Sequence, residues 1–184
     1  MQKGSPNIPQ PTPVVLDPVS TAVLVLDLST RCHDPKAPCA RLLPVVGEFL
    51  ERARNCRVPI VFTVSLRDRG TELGHVASAL KRRETESIVF PDAFDKLFSG
   101  ELHSVLQNMG AKTLVITGAA TNVAVMYTTT TAVRVHKYNV IIPVDGVTAA
   151  TAYEHEYALH QLHALPAGSV TPVRYSTLST ITFR

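Results

Sequence analysis

The sequence predicts an α/β domain in which a parallel sheet carries helices on both faces. Two observations predict it: short apolar runs rich in β-branched residues recur along the chain, and segments with helical periodicity lie between them. A third sets the scale. With 184 residues, 45% of them apolar and 18% charged, the chain suits one domain with a full core.

Residues 21–28, TAVLVLDL, read as the first strand, with Asp27 near its C-terminal end. A loop holding Pro and Cys follows over residues 29–38. Residues 42–54 form a helix with Val45, Val46, Phe49, Leu50 and Ala53 on one face, Pro44 being tolerable in its first turn. VPIVFTVS, residues 58–65, is the next strand. Residues 66–86 are polar and irregular, with a helical turn around 75–80, and residues 87–90 form a short strand. The spacing of Phe94, Leu97, Phe98, Leu102, Val105 and Leu106 predicts a helix over 93–109 with those side chains inward and Gly110 just past its end.

The most informative stretch is KTLVITGAATNVAVMYTTTT, residues 112–131. A buried strand over 113–117 runs into a tight turn of small residues, Gly118, Ala119 and Ala120. Thr121 or Asn122 is placed to cap a helix reaching about residue 135, with Val123, Val125 and Met126 packed on the sheet. Such a turn aims backbone N–H groups and the positive end of a helix outward. YNVIIPV, residues 138–144, is a further strand closing on Asp145-Gly146; a helix over 152–165 and a strand over 170–175 complete the alternation. Right-handed crossovers between parallel strands follow from that order.

Composition excludes several functions. Net charge is only +3, and five Tyr, six Phe and no Trp cannot supply a basic stripe interleaved with aromatics, so no nucleic-acid partner is expected. No apolar run approaches a bilayer span and residues 1–20 lack the apolar segment of a signal peptide, so no membrane partner is expected and the cytoplasm is the default compartment. Three cysteines, Cys32, Cys39 and Cys56, fit no metal spacing and make a secreted disulfide framework improbable. There is no glycine-rich nucleotide motif. No metal or cofactor is expected. Residues 1–18, with several prolines, form an extended arm, and residues 19–184 the domain.

In sheets of this kind ligands sit beyond the carboxyl ends of the strands, where strand order reverses. The first strand and the strand over 113–117 flank that point, which sets Asp27 beside the turn at 118–122. A carboxylate in an apolar strand end is costly unless paired, and this marks Asp27 as functional.

TAVLVLDL followed by a polar loop, KTLVITGAATNVAV followed by YTT, and YNVIIPVDGVTA together resemble the isochorismatase-like hydrolase (cysteine hydrolase) superfamily over residues 14–183. The resemblance implies a three-layer, Rossmann-like fold with a six-stranded, mostly parallel sheet and a cis peptide at Ala119–Ala120. It further implies an Asp-Lys-Cys triad with turn amides holding an oxyanion, a small-molecule substrate, and a homodimer or homotetramer. The aspartate is Asp27. The cysteine position falls on Ala124, which excludes thiol attack from there. The lysine position falls on Ile88 or Phe90; Lys81 and Lys96 are nearest, at places not expected to fit, so the triad is read as missing both its thiol and its lysine.

Alanine at 124 is open to three origins: a diverged natural branch, an inactive binder or scaffold that keeps the pocket, or a Cys-to-Ala change made by design in a cysteine amidohydrolase. Two losses favour the first. The candidate site is therefore Asp27 as general acid or base on a carbonyl- or enol-ether-bearing metabolite, with Ala119, Ala120 and Ala124 forming the turn. Phe90, Cys32, Thr121 and Tyr127 are the candidate substrate contacts. Cys32 with His33 or Asp34 is a conceivable substitute nucleophile set. Asp68 and His75 have the wrong spacing for a metal pair, and Glu154, His155, His160 and His163 lack a third ligand.

Overall fold

A computed structural model describes residues 9–165 and 173–184. Among the described residues nine strands run in chain order: β1 (Val14–Leu16), β2 (Thr21–Leu26), β3 (Ile60–Thr63), β4 (Ser87–Val89), β5 (Thr113–Ala119), β6 (Asn139–Pro143), β7 (Val147–Thr148), β8 (Arg174–Ser176) and β9 (Ile181–Phe183). The α-helices are α1 (Leu42–Asn55), α2 (Glu101–Asn108), α3 (Met126–Arg134) and α4 (Ala152–His163). The main sheet has the order β4-β3-β2-β5-β6-β8 with every pair parallel, and β7 pairs with the end of β5. This is the three-layer α/β architecture that the alternation of elements predicts.

β2 shows why there are three layers. All its residues are buried, and successive side chains point to opposite faces of the sheet. Val23 and Val25 pack with Val46, Phe49 and Leu50 of α1, whereas Ala22, Leu24 and Leu26 pack with Leu102 and Leu106 of α2, Val133 of α3 and Leu159 of α4. A strand buried on both faces reads as a continuous apolar run, and β2 does so from Ala22 to Leu26, just before Asp27. Arg54 of α1, itself buried, bonds Glu86 at 2.7 Å and the Leu80 carbonyl at 3.1 Å, which ties the irregular excursion before β4 back onto the helix.

Several expectations are corrected. The helix over 93–109 is real only as α2. Residues 92–100 are a chain of turns, Phe94 and Phe98 are 70% and 79% exposed, and of that half only Lys96 and Leu97 are buried. The cause is tertiary: the Asp95 carboxylate accepts from Thr131 Oγ1 of α3 at 2.6 Å, and the Lys96 amide donates to Thr128 Oγ1 at 2.9 Å. These bonds hold the segment against α3 in a path a helix cannot follow. Val45 of α1 faces out, at 41% exposure. The turn expected over 118–120 is not formed, since Gly118 and Ala119 continue β5; no side chain caps the helix that follows, and the chain passes through a wide π-type turn, Thr121–Val125, before α3. The last strand of the main sheet is β8, shifted beyond the expected 170–175, of which 170–172 lie outside the described residues. The arm drawn through residue 18 ends in β1, which pairs in parallel with β9 and buries Val14 and Leu16 in the core beside α1.

Gly118 marks the closest backbone approach. Its φ is +126°, and a Cβ there would lie 2.1 Å from the Leu26 carbonyl oxygen of β2. Gly118→Ala is expected to cost at least about 1–3 kcal/mol from backbone strain alone, with the clash added, and to lower the thermal midpoint measured by circular dichroism. An unchanged midpoint would show that β2 and β5 are free to part at this end.

Candidate active site

Sheet order reverses between β2 and β5: from β2 the chain builds toward β3 and β4, and from β5 toward β6 and β8. Leu26 is in register with Thr63 of β3 on one side and Gly118 of β5 on the other, so Asp27 emerges at the crevice between them. Its backbone is in the left-handed region, φ 56°, uncommon for a residue other than glycine, and its amide donates to the Thr63 carbonyl at 3.0 Å. Backbone strain of this kind is concentrated at working sites.

Lys96 overturns the reading of the triad. Its ammonium lies 2.8 Å from Asp27 Oδ2, and the lysine side chain is only 3% exposed. The non-helical path of residues 92–100 brings it there. With Ala124 where the resemblance sets a thiol, an aspartate–lysine pair is thus present. Ile88 and Phe90 are irrelevant to it. Thr63 Oγ1 donates to the other carboxylate oxygen, Oδ1, at 3.3 Å. Burial raises the Asp27 pKa above its ordinary value even though the Lys96 charge and hydrogen bond act to lower it.

The pair faces a cavity of about 700 Å³. Ala119, Ala120, Val123 and Ala124 line one wall, Ala37, Pro38 and Cys39 another, and Phe94 and Arg67 stand among the lining residues. The Ala119–Ala120 peptide is cis. The Val123 amide donates to the Ala120 carbonyl at 3.1 Å, which withdraws it from the set of amides expected to hold an oxyanion.

Of the expected substrate contacts, none lines the cavity. Phe90 is covered instead by the Arg69 guanidinium, 5.3 Å above its ring. Thr121 is fully buried and its hydroxyl shares a 2.9 Å hydrogen bond with His155 Nδ1. His155 is therefore not on a solvated face; burial, then the Arg41 charge, pulls its pKa down. Tyr127 is half-exposed on α3. Cys32 is disulfide-bonded to Cys39, a bridge the sequence spacing did not announce. The substitute Cys-His-Asp set is dismantled by that bridge and by His33, whose Nε2 accepts from the Ser78 amide at 3.2 Å. Among the described residues no cluster of three or more His, Cys, Asp or Glu side chains suits a metal, and no helix is long and apolar enough to cross a membrane.

Ala124→Cys supplies the thiol that the resemblance sets there. The new thiol stands in the cavity wall shared with Asp27 and Lys96, and iodoacetamide is expected to label it in the folded protein, read as one added label by mass spectrometry. Failure to label would mean that position 124 is shut off from the crevice.

The family model for the isochorismatase domain matches residues 21–172. Among solved structures, an isochorismatase family protein from Burkholderia thailandensis superposes with TM-score 0.77 at 21% identity, over 92% of this chain and 97% of its own. An isochorismatase-like hydrolase from Alkaliphilus metalliredigens gives TM-score 0.74 at 26% identity over 87% and 95%. The nicotinamidase of Staphylococcus aureus gives 0.73 at 18% identity over 86% and 99%. No curated protein matches the chain in sequence. With the family model spanning most of the chain and the architecture shared by these structures, the chain belongs to the isochorismatase-like hydrolase family.

Proposed function

We propose that the crevice hydrolyses a small enol ether, with Asp27 as general acid and no covalent intermediate. One observation carries the reading: a partly buried carboxyl group, paired to the buried Lys96 and held above its ordinary pKa by desolvation, faces an alanine wall that holds no nucleophile. Amide hydrolysis by this family's thiol chemistry needs a group that Ala124 cannot supply. Enol-ether hydrolysis needs only a proton and water. Asp27 delivers its proton to the terminal vinyl carbon, and the resulting oxocarbenium ion is captured by water. The hemiketal then collapses to an alcohol and a methyl ketone. Lys96 stabilises the carboxylate left behind, which makes the protonated Asp27 a usable acid despite burial.

The test is a panel of enol ethers, isochorismate among them, and small amides, incubated with the purified protein in deuterium oxide and read by mass spectrometry. The expected product is a ketone with one deuterium on the former vinyl carbon. Consumption of amides alone would overturn the reading. Stoichiometric binding without turnover would instead assign the protein as a ligand binder that keeps the family pocket, which the alanine at 124 also suits.

A further inference from the structure

The crevice wall opposite the alanine turn is held by a bond that chemistry can open. Cys32 lies in the short turn Thr30–His33 after β2, and Cys39 in the turn Pro38–Arg41 before α1. Their disulfide closes the loop that carries Ala37, Pro38 and Cys39 into the cavity lining. The two halves of this loop are anchored unequally. On the Cys32 side, the Thr30 amide donates to the His75 carbonyl at 2.9 Å, Thr30 Oγ1 to the Glu72 carbonyl at 2.6 Å, and Arg31 pairs with Asp68 at 3.1 Å. On the Cys39 side, the hydrogen bonds of residues 34–40 among the described residues close locally: Lys36 onto Asp34, Ala37 onto Asp34, Ala40 onto Ala37. Among the described residues, cross-chain hydrogen bonding returns at Arg41, whose Nη2 donates to Thr148 Oγ1 at 2.5 Å. Beyond the packing of Ala37 and Cys39 on the core, the Cys39 sulfur is therefore the covalent tie that holds the 34–40 wall to the β2 side of the crevice.

Access is one-sided as well. Cys32 is 1% exposed and does not line the cavity, whereas Cys39, 7% exposed, does. A thiol must come through the crevice, and a cavity of about 700 Å³ admits a small one.

We propose that the Cys32–Cys39 disulfide is a redox modification site, opened from inside the crevice by a small thiol that attacks Cys39, and that its opening releases the 34–40 wall. The thiolate of the attacking molecule forms a new S–S bond with Cys39 Sγ; the Cys32–Cys39 bond breaks, and Cys32 leaves as a thiolate that takes a proton from solvent. A second molecule of the same thiol displaces Cys39, so two small thiols become one small disulfide and the protein gains two thiols. Any consequence for turnover rests on the enzymatic reading above; the bridge chemistry does not.

The experiment therefore avoids turnover. The full chain is unfolded without reductant in the presence of an alkylating agent: one label is expected, on Cys56, the exposed free cysteine. After treatment of the folded protein with excess reduced glutathione, three labels are expected, and brief treatment trapped with acid should show the glutathione adduct on Cys39. Hydrogen exchange of residues 34–40 should rise at least about tenfold in the reduced protein, with β5 unchanged; a Cys32→Ser, Cys39→Ser double variant should match it. Three labels before reduction, an adduct on Cys32, or unaltered exchange in both the reduced protein and the double variant would each overturn the proposal.

Discussion

Asp27→Asn is expected to lower kcat/KM for the enol-ether substrate by roughly 10²–10⁴-fold, the usual contribution of a positioned general acid. Asparagine keeps the size of the side chain and can still accept from Thr63 Oγ1, so the crevice retains its shape while losing the proton it delivers. The pH profile gives the sign. Burial raises the Asp27 pKa, and only the protonated form is competent, so wild-type kcat/KM falls as pH climbs through a midpoint above the ordinary 3.8. Residual activity of the variant should be flat across that range. An asparagine variant within about threefold of wild type would remove Asp27 from the chemistry altogether.

Lys96→Met has the largest expected effect on stability. It leaves the Asp27 carboxylate buried without its partner, a loss commonly of about 3–5 kcal/mol, here toward the lower end. The lower end applies because Asp27 keeps 29% side-chain exposure, toward the cavity. The loss should depend on pH. Without the ammonium the Asp27 pKa rises further, and a group whose folded pKa lies above its unfolded value stabilises the fold at low pH and loses that contribution as pH rises through the folded pKa. The deficit against wild type is therefore smaller at acidic pH, where Asp27 is protonated, and grows as pH rises through the raised pKa, measured by urea unfolding at one acidic and one alkaline pH. The descending limb of kcat/KM should move to higher pH in the same variant. An equal deficit at both pH values, or a limb displaced downward, would mean that Lys96 does not act on Asp27.

These two residues divide what was legible from what was not. Asp27 was readable because its signal is local: one carboxylate ends an otherwise apolar strand, and the parallel order of elements puts that strand end at the reversal of the sheet. Lys96 was invisible for the opposite reason. Phe94, Leu97, Phe98 and Leu102 have helical spacing, and a helix there turns Lys96 to solvent. The ion pair with Asp27 and the bonds to Thr128 and Thr131 outweigh that periodicity, unwinding residues 92–100 and leaving Phe94 and Phe98 exposed. Local preference gave way at the site, where a buried charge demanded a partner.

The same distinction covers the rest of the crevice. Gly118 was readable as a special position, and only glycine fits where β5 crowds against Leu26, but the turn expected over 118–120 forms later, at Thr121–Val125, because Gly118 and Ala119 continue β5. Nothing near Thr121 announced His155, and nothing in the spacing of Cys32 and Cys39 announced their bridge. By itself the sequence determined the alternation of the main-sheet strands with helices, the layers they form and the carboxylate at their junction, because hydrophobic periodicity is a property of neighbours along the chain; the short strands β1, β7 and β9 carry too few residues to show one. The tertiary structure alone decided which lysine meets that carboxylate, which sulfurs join, and which aromatic side chains stay outside the cavity. Those outcomes depend on charge and packing between segments far apart in sequence, where spacing carries no signal.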